Sequence, residues 1–262
     1  MTSRDGGAVR VHYRLDGPAR APVVLLSHAL GCDLRMWDPQ LPLLGQRYRV
    51  LRYDTRGHGS SPVPSGPCTL ADLGRDVLGL LDDLALTHVH FCGLSLGGMV
   101  GLWLALRAPA RIGRLILCDT AARIGTAETW SARIDLVRSG GTQALVDASL
   151  ERFFTEGFRA RRPPEVAAIR DTFLRTSAVG YAACCGALRD ADLRAEVERV
   201  EAPTLVITGA RDPSTPPSDG RFLADHIRGA QYVELEAAHL ANVETPRPFS
   251  EAVDAFLCQE PS

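Results

Sequence analysis

A serine stands at the centre of Gly93-Leu94-Ser95-Leu96-Gly97, after an apolar run and before a further glycine, Gly98. A GxSxG pattern between a strand and a helix is the pattern of a nucleophile elbow. The turn holds the serine in a strained backbone conformation with its hydroxyl projecting, and residues without side chains let strand and helix close on either side. A serine hydroxyl attacks only when a base takes its proton, and that base needs a third group to fix its tautomer. The chain supplies both in order, each just past a run that reads as a strand: Asp212 in Gly209-Ala210-Arg211-Asp212, then His239 in Ala237-Ala238-His239. The chemistry these three imply is acyl transfer to water. Asp119, also at a strand end, is the alternative acid weighed against Asp212.

Acyl transfer develops an oxyanion, so two N–H donors are expected near the serine. The Leu96 amide, next after the nucleophile, is one. The other is assigned to the Leu30 amide in Ser27-His28-Ala29-Leu30-Gly31, where an early strand ends. His28 is read as a pin for that loop rather than a proton carrier. The glycine-rich Asp54-Thr55-Arg56-Gly57-His58-Gly59-Ser60-Ser61 has neither a GxGxxG nor a GxxxxGK arrangement, so it is read as a structural turn and not a phosphate cradle.

The elements that must position these residues are visible as periodicities. Val9 to Leu15 alternates, Pro22 to Ala29 is continuously apolar, and Tyr48 to Tyr53 repeats that character, as strands buried on both faces of a parallel sheet do. Leu73, Val77, Leu80, Leu81 and Leu84 lie at helical spacing, and the short strand His88 to Cys92 follows. Helix Leu96 to Arg107, strands Leu115 to Cys118 and Thr204 to Thr208, helix Asp219 to Ile227, strand Gln231 to Leu235 and helix Phe249 to Leu257 continue the alternation of an α/β protein. Between Ala121 and Arg199 it stops, and amphipathic helical patterns separated by Gly140-Gly141, Gly157 and Pro163-Pro164 take over. The expected organisation is a first core segment at 1–120, a helical cap insertion at 121–199, and a second core segment at 200–262. Such a cap emerges at the carboxyl edge of the sheet and roofs the site.

Composition narrows the remaining classes. A formal charge of −2 with scattered arginines gives no footprint for nucleic acid or an anionic membrane. Seven cysteines without a CxxC pair argue against both zinc and a disulfide framework, and fit a reducing cytoplasm. Cys92 and Cys118 read as core, and Cys184-Cys185 as cap packing. The N-terminal residues lack the apolar centre of a secretory signal, and no stretch is long enough to span a bilayer.

The order of nucleophile, acid and histidine resembles that of the α/β-hydrolases, and several blocks resemble the 3-oxoadipate enol-lactonases of the β-ketoadipate pathway of aromatic catabolism. These blocks are Leu34-Arg35-Met36-Trp37-Asp38-Pro39-Gln40, the elbow from Cys92 to Met99, and Thr120-Ala121-Ala122-Arg123-Ile124-Gly125-Thr126-Ala127-Glu128-Thr129-Trp130. Further on come Tyr181-Ala182-Ala183-Cys184-Cys185, Arg189-Asp190-Ala191-Asp192-Leu193 and Ala237-Ala238-His239-Leu240-Ala241-Asn242. The resemblance implies a mostly parallel, roughly eight-stranded sheet flanked by helices. It also implies a carboxylic ester hydrolase that opens a small lactone to 3-oxoadipate without metal or organic cofactor. The lactone carries a carboxylate, so a cationic fork is expected, with Arg133 the candidate and Trp130 and Trp103 as apolar walls. The competing reading is an esterase or carbon–carbon bond hydrolase for another small carboxylate-bearing substrate.

Overall fold

The computed structural model describes residues 8–259. Continuous apolar runs need burial on both faces, and Val24, Leu25 and Leu26 in β2 (Val23–Ser27) have none of their surface exposed. The other strands are β1 (Tyr13–Asp16), β3 (Arg49–Tyr53), β4 (Val89–Leu94), β5 (Ile112–Cys118), β6 (Thr204–Gly209) and β7 (Gln231–Leu235). They form one sheet in the order β1-β3-β2-β4-β5-β6-β7, parallel except for β1, which runs antiparallel to β3 with Tyr13 opposite Tyr53. The sheet thus has seven strands among the described residues, one fewer than the resemblance implied. The alternating stretch from Val9 becomes strand only at Tyr13. Before it, the Val9 amide donates to Asp76 Oδ1 at 2.7 Å and the His12 amide to Ser61 Oγ at 2.8 Å. Backbone groups that would extend a ladder are spent on side chains instead.

Helices α1 (Leu41–Arg47), α2 (Leu70–Asp83) and α3 (Leu96–Arg107) precede β5. Helix α2 begins at a capping box, in which Thr69 accepts from the Asp72 amide while the Asp72 carboxylate accepts from the Thr69 amide. It buries Leu73, Val77, Leu80 and Leu81 of the expected stripe together with Leu70, while Leu84 falls at the C-cap and is only half-buried. Between β5 and β6 lie α4 (Ala127–Gly140), α5 (Val146–Phe153), α6 (Glu156–Arg161), α7 (Pro163–Arg175) and α8 (Ala178–Asp190), with no strand among them. After β6 come α9 (Pro217–His226), α10 (Ala241–Glu244) and α11 (Pro246–Leu257). Helix α8 sits directly on the glycine-rich turn after β3. A Cβ built on Gly57, whose φ is +77°, would lie 2.4 Å from the Gly180 Cα, so backbone meets backbone there. That contact gives the turn its structural purpose.

Candidate active site

Ser95 sits between β4 and α3 at φ 58° and ψ −114°, a region that a residue with a side chain occupies only under restraint. The restraints are the Ser95 amide donating to the Cys118 carbonyl at 2.9 Å and the Thr120 hydroxyl donating to the Ser95 carbonyl at 2.8 Å. Gly93 and Gly97 make the turn sterically possible. A Cβ on Gly93 would fall 2.2 Å from the Gly97 carbonyl oxygen, and one on Gly97 2.1 Å from that of Ser27.

His239 follows β7, and Asp212 lies in the loop after β6. The imidazole Nδ1 and Asp212 Oδ2 are 2.7 Å apart, with both side chains buried. Asp212 is held further by the Thr215 hydroxyl on Oδ2 at 2.7 Å and by the Ser214 and Thr215 amides on Oδ1 at 2.7 and 3.2 Å. Burial pushes this carboxyl up, but His239 and the donors from Thr215 and Ser214 together hold it below its ordinary value. Asp119 is close by, at φ 42°, yet its oxygens accept from the Gly209 amide at 2.6 Å and the Ala241 amide at 3.3 Å, and His239 is not among its partners. Burial first, and then the Asp212 charge, drive the Asp119 carboxyl well above the usual range.

Ser95, His239 and Leu30 line one cavity of about 320 Å³, together with Ile124, Trp130, Arg133, Arg152, Phe153 and Tyr181. The helices between β5 and β6 therefore supply much of its wall. Among the described residues the Leu30 amide has no acceptor, and Leu96, as the first residue of α3, has none within its helix. Of the two tryptophans expected as walls, Trp130 is in place. Trp103 packs instead against Gly74 of α2, where an added Cβ would meet its ring at 2.0 Å. A separate polar cleft of about 270 Å³, lined by His12, Arg14, Asp33, Arg35 and Arg175 among others, contains none of Ser95, Asp212 and His239.

Two neutral histidines brace the loop that carries Leu30. His28 Nε2 accepts from the Thr55 amide at 2.9 Å while its Nδ1 donates to the Ala29 carbonyl at 2.7 Å. His58 Nε2 accepts from the Gly31 amide at 3.0 Å. Burial pulls both rings down, and the adjacent His28 helps take His58 to about 3. Reading the sequence assigns His28 a pinning role but overlooks His58, Thr215 and Arg152. The Leu34–Gln40 block, conspicuous in sequence, supports the histidine loop from behind: Gln40 Nε2 donates to the Asn242 carbonyl at 2.8 Å and Asn242 Nδ2 to the Met36 carbonyl at 3.0 Å.

A strained serine on a strand-to-helix turn of a mostly parallel sheet, lining one cavity with a histidine paired to a carboxylate, is the arrangement found in α/β hydrolases. The chain belongs to that family: the model of the alpha/beta hydrolase fold matches residues 22–246. Within it, the chain groups with enol-lactonases. It is 42% identical over 257 residues to 3-oxoadipate enol-lactonase 2 of Acinetobacter baylyi, covering 98% of this chain and 95% of that protein. The crystal structure of the enol-lactonase from Burkholderia xenovorans superposes with a TM-score of 0.94 at 48% identity, covering 95% and 96% of the two chains. A thermophilic esterase from Thermogutta terrifontis, solved with malate bound, gives a TM-score of 0.92 at 29% identity over 98% and 96%. Among the described residues no helix is long and apolar enough to cross a membrane.

Proposed function

We propose that this protein hydrolyses 3-oxoadipate enol-lactone to 3-oxoadipate, with Ser95 as nucleophile, His239 as general base and acid, and Asp212 as the group that orients His239. The observation that carries the reading is the single cavity in which Ser95 and His239 face two cap arginines, Arg133 and Arg152. It brings an acyl-transfer centre and a carboxylate-binding wall within reach of one small molecule. The names of the relatives at 42% and 48% identity agree with it.

His239 takes the Ser95 proton as the hydroxyl attacks the lactone carbonyl, and the Leu30 and Leu96 amides receive the developing oxyanion. Collapse breaks the ring C–O bond as His239 returns its proton to the leaving enol oxygen, and the released enol ketonises, which makes ring opening hard to reverse. Water, activated by His239, then cleaves the Ser95 ester and frees the acid. The chemistry is assigned to side chains and backbone amides alone. Residues 121–199 form the cap in this reading, with Arg133 and Trp130 as pocket residues. The cysteine usage supports a cytoplasmic location, and the near-neutral charge supports a small molecule over nucleic acid or membrane as the partner.

The test is ultraviolet-monitored hydrolysis of the enol-lactone by the wild type and Ser95→Ala, beside an aryl acetate and a lactone lacking the carboxylate. Turnover that depends on the carboxylate and is lost in Ser95→Ala is expected. Good aryl acetate cleavage without enol-lactone turnover would leave the triad and remove the substrate. It would favour an esterase for another small acid, a second reading to which the malate-bound relative gives weight. Single-turnover trapping of an acyl group on Ser95 separates covalent catalysis from direct attack by water.

A further inference from the structure

Two arginines of the cap, Arg133 and Arg152, line the cavity. Arg133 on α4 is committed to protein partners. Its Nε donates to the Tyr181 hydroxyl at 2.7 Å and its Nη2 to the buried Ser149 hydroxyl at 2.8 Å, with the Trp130 and Tyr181 rings 6.0 and 5.7 Å from its guanidinium carbon. Arg152, in the last turn of α5, reaches the same Ser149 hydroxyl at 3.2 Å through Nη2 alone. Neither guanidinium is paired with a carboxylate among the described residues; Arg138, Arg159, Arg161 and Arg175 between β5 and β6 lack one too, but none of those four lines this cavity. Lysine is absent from this chain, so arginine at these positions carries no signal by its type. Their place does: two guanidinium groups without a carboxylate partner line one cavity. Burial, and after it the charge of Arg133, pull Arg152 below its ordinary value, as expected of one cation held beside another away from water.

We infer that Arg152 is the specificity-determining residue that grips the substrate carboxylate, with Arg133, fixed by Tyr181 and Ser149, as the second positive charge behind it. This rests on the proposed enol-lactone reading and moves the direct contact from Arg133 to Arg152. The unspent N–H donors of Arg152 present the fork that a carboxylate fits, and an anion there relieves the repulsion between the two guanidinium groups.

The backbone makes the grip consequential. The last carbonyls of a helix lack partners within it. Those of α5 are met by the histidine loop: the His239 amide donates to the Arg152 carbonyl at 3.4 Å and the Leu240 amide to that of Phe153 at 3.0 Å. The Phe153 ring stacks on the imidazole at a centroid distance of 5.9 Å and 20° between planes. A carboxylate held by Arg152 is therefore registered against the base that must serve Ser95, so its absence costs kcat as well as KM.

The experiment compares kcat and KM for the enol-lactone and for the same ring without its carboxylate in the wild type, Arg152→Met, Arg152→Lys and Arg133→Met, each first checked for folding by thermal melting. A second readout is inhibition of aryl acetate hydrolysis by adipate. Arg152→Met is expected to reduce the preference for the carboxylated lactone roughly 10–100-fold and to weaken adipate inhibition similarly, with Arg152→Lys in between. Arg133→Met should weaken both less than Arg152→Met. Equal losses on both lactones with unchanged adipate inhibition in Arg152→Met would overturn the assignment. A wild type that ignores the enol-lactone but is inhibited by adipate through Arg152 would remove the proposed substrate and keep Arg152 as the carboxylate site.

Discussion

Asp212 spends both oxygens on the site, Oδ2 on His239 and the Thr215 hydroxyl and Oδ1 on the Ser214 and Thr215 amides. Asp212→Asn keeps the shape but presents an amide that can donate to Nδ1, favouring the tautomer that cannot take the serine proton. Loss of kcat by roughly 10³–10⁴-fold with little change in melting temperature is expected. A loss below about tenfold would reassign the acid to Asp119, contrary to its bonds with the Gly209 and Ala241 amides. Ser95, Asp212 and His239 were legible in the sequence because elbow and order are local patterns. Thr215 had a faint signal, since Asp-Pro-Ser-Thr suits a turn in which the aspartate caps its own backbone. Arg152 had none. It is one of 29 basic residues, and only the packing of α5 beneath His239 sets it apart.

At the scale of elements, the loop between β2 and α1 is held by rings that must stay neutral. His58 accepts from the Gly31 amide, one residue past Leu30, and a protonated ring cannot accept there. Its value falls from 6.5 in the unfolded chain to about 3 in the fold. The unfolded state therefore binds the extra proton below about pH 6.5, and stability is lost as pH falls from there toward 3. Denaturant titrations at pH 7 and 4.5 should show the wild type losing roughly 2–3 kcal/mol more than His58→Gln, whose carbonyl oxygen can still accept. Equal losses would mean that His58 titrates normally in the fold. Element types were legible for a related reason: β2, β5 and α2 owe their form to burial patterns that the chain itself carries. The start of the first strand was not. Val9 and the residues after it alternate like a strand, but Asp76 and Ser61, far along the chain, take their backbone amides before a neighbouring strand can.

In the whole molecule, the helices between β5 and β6 meet the sheet at the turn containing Gly57 and at the histidine loop. The second joint has a polar rivet. Glu244 of α10 accepts from the Ala238 amide at 3.1 Å and from the Thr155 amide at 3.2 Å, and the Thr155 hydroxyl also donates to it. One carboxylate thus ties the residue before His239 to the segment following α5, whose carbonyls hold His239 and Leu240. Glu244→Ala leaves two backbone amides without acceptors, a loss of roughly 1–3 kcal/mol in stability. The larger effect should be on turnover, because a shift of about 1 Å in the base relative to Ser95 costs up to roughly 100-fold. Stopped-flow and steady-state rates on Glu244→Ala and Glu244→Gln, beside their melting temperatures, check this. A kcat loss of tenfold or more in Glu244→Ala, partly restored in Glu244→Gln, is expected where helices and sheet share the placement of His239. Melting that falls while kcat holds would instead make Glu244 a structural tie, with His239 positioned independently of it.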